Sequence, residues 1–132
     1  MKKTLSISID GTAINDIASF YEVINQTLMV GEDWNLGNSL DAFDDLLYGG
    51  YGLLKDYDKL EIIWKNIEHS RKSMGVEATQ KYYLDKLNSN LPYNKSLLHQ
   101  KLKDLDAGKG QTYFDVLLEI IDSHKNVHLL QF

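Results

Sequence analysis

The sequence predicts an α/β protein: a small three-stranded, mostly parallel sheet packed with helices, with an extra helical segment at about residues 71–111. Three observations lead there. Short runs with strand character stand near the start (TLSISID), the middle (KLEIIWKN) and the end (VHLLQF) of a 132-residue chain. Stretches with helical spacing separate them. Strands separated in this way need crossovers, and crossovers lay neighbouring strands parallel with helices against the sheet.

The elements run in this order. In residues 4–10, Leu5, Ile7 and Ile9 alternate to one side, as in a half-buried strand, and Asp10-Gly11 makes a turn. Ile14, Ile17, Ala18, Tyr21, Ile24 and Leu28 recur at helical spacing, predicting an amphipathic helix over 14–29 that ends at Gly31. Residues 31–38 (GEDWNLGN) read as a loop. Ser39 caps a short helix over 40–48, and Gly49-Gly50 stops it. A second strand spans 59–66, with Trp64 expected in the core. One helix is predicted over 77–88, with Pro92 beyond it. Leucines 97, 98, 102 and 105 predict another, ending at Gly108. A strongly periodic helix over 113–124 and a strand over 127–132 complete the chain. One domain over 1–132 is expected, with a core large enough to need no covalent staples.

The chain has no cysteine. This excludes disulfides, thiolate metal sites and a cysteine nucleophile, and fits the cytoplasm, the expected location. The N-terminal stretch MKKTLSISIDGT is too short and too polar in its apolar run for a signal-peptide core. No segment is long and apolar enough to suggest a membrane span. The four histidines show no metal-like spacing and are assigned no site.

The net charge of −5 is concentrated in one segment. Between Glu32 and Asp58 lie seven acids and one base, whereas the remaining residues hold twelve acids and thirteen bases. A negative field of this kind argues against nucleic acid as a direct partner and favours a cationic one.

That field centres on the short helix. At 100° per residue, Leu40, Phe43, Leu46 and Leu47 fall within about 120° of arc and form its apolar face. Asp41, Asp44, Asp45 and Tyr48 fall within a separate arc of about 100°. Asp41 suits the helix N-terminus, but Asp44 and Asp45 sit in the last turn, where the helix dipole opposes them. Asp41 and Asp45 also repel at i,i+4 spacing, costing roughly 0.2–0.5 kcal/mol, and the helix has no lysine or arginine. Local rule-breaking of this kind often marks function. Three uses are open. Paired carboxylates do acid–base chemistry when a cleft shifts their pKa values. Carboxylates bind Mg²⁺ or Ca²⁺, although these ions want more oxygen ligands than one helix face offers. Carboxylates also stand in for the phosphates of RNA and fill the basic cleft of a nuclease.

The loop with tryptophan and glycine, followed by Leu40-Asp41-Ala42-Phe43 and Asp45, resembles the barstar family of intracellular ribonuclease inhibitors. Residues 62–70 (IIWKNIEHS) look like the family's second strand and the segment just after it. Residues 113–132 look like its last helix and strand. The likeness covers roughly 3–70 and 112–132. The segment around 71–111 is extra compared with the compact inhibitor and is similar to a longer branch of the family, which carries a comparable W…SR…G segment and a glycine-rich turn, here Gly49-Gly50-Tyr51-Gly52.

The resemblance implies a barstar-like fold and a bacterial antitoxin or immunity protein that occludes the active site of a basic ribonuclease as a monomer, one to one, without cofactor or metal. It carries the family's two aspartates onto Asp41 and Asp45, its loop glycine onto Gly37, its leucine onto Leu40 and a rim-contacting glutamate onto Glu119. Trp34, Asn35, Asn38, Asp44 and Tyr48 complete the expected partner-binding set. Three positions depart from the family's habit: Ser39 stands where asparagine is frequent, Asp44 where compact members often have an aromatic, and Asn35 at the loop tyrosine position. Two other functions compete. One is an acidic adaptor of the same fold with a non-nuclease partner. The other is a carboxylate- or metal-dependent enzyme using Asp41, Asp45 and Glu119, against which stands the lack of a nucleophile elbow, P-loop or HExxH pattern.

Overall fold

Three parallel strands lie in the order β1 (Thr4–Asp10), β2 (Lys59–Lys65), β3 (Val127–Gln131), so the sheet of this computed structural model, which describes residues 3–132, is wholly parallel. Met1 and Lys2, the start of the stretch judged unlike a signal core, lie outside the described residues. The register places Leu5 against Leu60, Ile7 against Ile62 and Ile9 against Trp64. All six side chains are buried. The alternate residues of β1, Thr4, Ser6, Ser8 and Asp10, are exposed. One face of the sheet therefore carries the core and the other meets solvent, where Ser6 donates to Glu61 at 3.0 Å. Strict alternation in a parallel strand is the mark of this one-sided cover; a sheet covered on both faces reads as continuous apolar runs.

Helix α1 (Ile17–Leu28) starts three residues later than its periodicity predicts. Asp16 and Ser19 form a capping box, each side chain accepting from the other's backbone N–H, which sets the first turn at Ile17. Ile14 is fully buried but lies outside the helix, after a 3₁₀ turn at Gly11–Ala13. Its spacing to Ile17 imitates a helical repeat.

Helix α2 (Leu40–Leu47) and helix α6 (Tyr113–Ser123) match the predicted 40–48 and 113–124 closely. Between β2 and α6 lie three helices rather than the two predicted: α3 (Ile67–Ser73), α4 (Val76–Leu87) and α5 (Lys95–Asp106). The unpredicted α3 is held by an unusual contact. Ser70 is buried and accepts from the Trp64 indole N–H at 3.0 Å. Gly11 faces it so closely that an added Cβ would lie 2.6 Å from Ser70 Oγ and 2.3 Å from the Asn66 carbonyl oxygen.

Helices α4 and α5 pack on each other through a satellite core of Tyr83, Leu98 and Leu105. Thr79 of α4 joins that unit to the main core: its hydroxyl accepts from Tyr113 N–H at 2.7 Å and donates to Gly75 O. Tyr82 packs edge-on against Tyr113. The Tyr113 hydroxyl shares a short hydrogen bond with that of Tyr21 on α1, and burial pushes the Tyr113 pKa up to about 12. The segment 71–111 thus braces α6.

Candidate protein-binding surface

The loop before α2 is shaped by one asparagine. Asn25 on α1 accepts from Leu36 N–H at 2.7 Å and donates to Leu36 O at 3.3 Å, while the Leu36 side chain is buried. Both backbone groups of that residue are satisfied from outside the loop, so residues 31–38 keep a fixed path without regular structure. Glu32 closes the base: its carboxylate accepts from Gly52 N–H at 3.1 Å and lies 3.9 Å from Lys55 Nζ. Gly52 has φ +71, and an added Cβ would stand 2.6 Å from Leu28 O. Only glycine suits that approach.

Ser39 caps α2 as expected, accepting from Ala42 N–H at 3.1 Å. Gly49, at φ +85, takes the left-handed position after the helix. Phe43, Leu46 and Leu47 are buried and Leu40 is half-buried, so the predicted apolar face is the real one. Asp41 and Asp45 are exposed on the opposite side. Trp34 is 44% exposed and leans on Tyr51, ring centroids 5.1 Å apart. The Tyr51 hydroxyl has its pKa raised by burial and then by the nearby Asp45 charge. Trp34, Tyr51 and Asp45 therefore form one local surface. Asn35, Gly37 and Asn38 are exposed beside it. Asn38, Leu40 and Asp41 also line a cleft whose far wall is α4.

Asp44 does not share the stripe evenly. Its carboxylate turns to the end of α6 and accepts from His124 Nε2 at 2.7 Å. The histidine ring is buried and Asp44 half-buried. Tyr48 covers the same ring edge-on, with centroids 4.5 Å apart, yet keeps 72% of its own surface exposed. His124, to which the sequence assigns no site, thus touches a residue of the acidic stripe from the core side. A signal was available: His124 continues the Phe114, Leu117, Ile121 spacing of the buried face of α6. Asn126 adds a second tie, donating to Leu47 O at 3.1 Å. Glu119 is exposed on α6, and its carboxylate accepts from Gln111 rather than from a stripe residue.

Among the described residues, no three His, Asp or Glu side chains gather as a metal site. Nor is any helix there long and apolar enough to cross a membrane. Fold and surface together define a small α/β protein that presents a braced loop and an acidic helix. The family model for Barstar (barnase inhibitor) matches residues 4–90. The chain belongs to the barstar family. The match runs from β1 through α4, so the loop and α2 lie inside it, while Glu119 and β3 lie beyond it. No curated protein matches the chain.

Proposed function

We propose that this protein inhibits a basic ribonuclease by occluding its active site, presenting the loop and α2 as a decoy for RNA phosphates. The observation that carries this reading is the exposed pair Asp41 and Asp45, one helical turn apart on a buried-backed helix and flanked by Trp34 and Tyr48. A rigid helix holds the two charges at a fixed separation, and the exposed aromatics offer large contact area at low entropic cost.

In this mechanism Asp45 and Asp41 meet the cations that otherwise hold substrate phosphates. Charge speeds encounter, and packed contacts from Trp34, Leu40 and Tyr48 set the lifetime of the complex. Asn35, Gly37 and Asn38 let the loop approach the enzyme surface, and Asp44 and Glu119 add contacts at its margin. The complex is one to one, and the setting is a bacterial cytoplasm that the inhibitor protects from its own or a rival's toxin.

The test is inhibition of a panel of small basic ribonucleases, barnase among them, together with any ribonuclease encoded beside this reading frame. Stoichiometric loss of activity is expected. Asp45→Ala should weaken inhibition by about 2 kcal/mol or more, roughly thirtyfold. The association rate should fall as salt rises. An unaffected Asp45→Ala variant with a salt-independent rate overturns the proposal. Capture of a partner without loss of nuclease activity would assign an adaptor role instead.

A further inference from the structure

The cleft between the acidic surface and α4 has a volume of about 570 Å³. One wall is the start of α2, with Asn38, Leu40 and Asp41; the other is α4 and the chain after it, with Tyr82, Asp85 and Tyr93. The cleft is thus built jointly by the proposed inhibitory surface and by the helical segment whose role the sequence leaves open.

Its chemistry selects a cation. Two carboxylates and one ammonium, that of Lys86, line it, and two tyrosine rings stand beside them. Those rings already hold a positive charge: Lys86 Nζ lies 4.4 Å from the centre of Tyr82 and 5.0 Å from that of Tyr93. Among the described residues, Asp85 is otherwise engaged only by an exposed pair with Lys81, at 3.0 Å and open to solvent screening. Carboxylates that accept in a plane, next to aromatic faces that stack, match guanidinium better than ammonium.

We propose that this cleft receives an arginine side chain from the rim of the same ribonuclease, so that α4 acts as a second, specificity-setting wall of the interface. The inference rests on the inhibitor reading. Asp41 serves both sites, and Asp85 and Tyr93 belong to the second alone. Lys86 is the internal competitor that an incoming arginine displaces towards solvent.

Two measurements test it. In the first, the full ¹⁵N-labelled chain is titrated with N-acetyl-arginine amide, N-acetyl-lysine amide and N-acetyl-glutamine amide. Saturable shifts at Asn38, Asp41 and Ser89 are expected with the arginine probe, smaller ones with lysine and none with glutamine. Asp85→Asn should at least halve the response, and Lys86→Gln should strengthen it. Equal responses to all three probes, or shifts confined to other surfaces, overturn the proposal. In the second, inhibition of the ribonuclease is measured with Asp85→Asn and Tyr93→Ala, both on exposed or half-exposed side chains. Each should weaken inhibition about three- to fivefold. If Asp45→Ala weakens inhibition while these two variants do not, the cleft lies outside the interface and the inhibitor reading stands. If the arginine probe fills the cleft but Asp45→Ala changes nothing, the inhibitor reading falls, and with it the assignment of the arginine to a ribonuclease.

Discussion

His124 and Asp44 stand 80 residues apart in sequence and 2.7 Å apart in space, joining the end of α6 to the last turn of α2. This contact explains how the short helix carries an aspartate where its own dipole disfavours one. The N–H of a buried ring answers the carboxylate from a different helix. Asp44 orients α2 as well as charging it.

Asp44→Ala should destabilise the fold by about 1–3 kcal/mol, because the His124 ring stays buried without its acceptor. Asp44→Asn keeps an acceptor oxygen and should lose less. Urea denaturation measures both. A double-mutant cycle with His124→Gln should show coupling of about 0.5–3 kcal/mol, and simple additivity would mean that the two side chains act independently.

Asn25→Ala should loosen the loop before it loosens the core. Leu36 N–H and O both lose their partner, at a cost of about 1–3 kcal/mol. Amide exchange at Leu36 should accelerate strongly while the amides of β2 stay protected. Unchanged exchange at Leu36 would show that the buried leucine side chain alone fixes the path.

Gly52→Ala should cost about 1–3 kcal/mol from the left-handed backbone, with more from the clash against Leu28 O. Gly50→Ala is the control, since nothing lies within 4 Å of a Cβ there. Thermal melts of the two variants should separate clearly, with Gly50→Ala close to wild type.

Acid should weaken the start of α1. Hydrogen bonds from the Ser19 side chain and backbone lower the Asp16 pKa below its ordinary value. A carboxylate depressed in the folded state contributes stability that is present above the unfolded pKa, about 3.9, and is lost as pH falls through the folded one. Asp16→Asn keeps a capping oxygen that does not titrate in this range. Its stability should therefore fall less steeply than wild type below pH about 4. Parallel acid limbs for the two proteins would contradict this.

Whether an element is legible in the sequence depends on how local its cause is. β1 shows itself because Leu5, Ile7 and Ile9 alternate against a sheet covered on one side. Helix α2 shows itself through Ser39, its apolar arc and Gly49. Helix α3 stays hidden. Its seven residues bury only Ile67 and Ser70, its preceding residue Asn66 lies at φ +52 without a side-chain cap, and Ser70 is inside because a tryptophan from β2 needs an acceptor. The candidate site divides in the same way. Asp41, Asp45, Trp34 and Tyr48 are exposed as a helical wheel and a loop imply. The Asn25 clasp, the Asp44–His124 pair and the wall supplied by α4 are contacts across distant segments, which periodicity does not encode.

The uncovered side of the sheet offers a point of attachment. Ser8 faces solvent on the side away from the helix layer, and the chain contains no cysteine. A single Ser8→Cys substitution would give one reactive thiol for a fluorophore or a sensor-chip tether, leaving the loop and α2 turned outward to meet whatever is flowed across them.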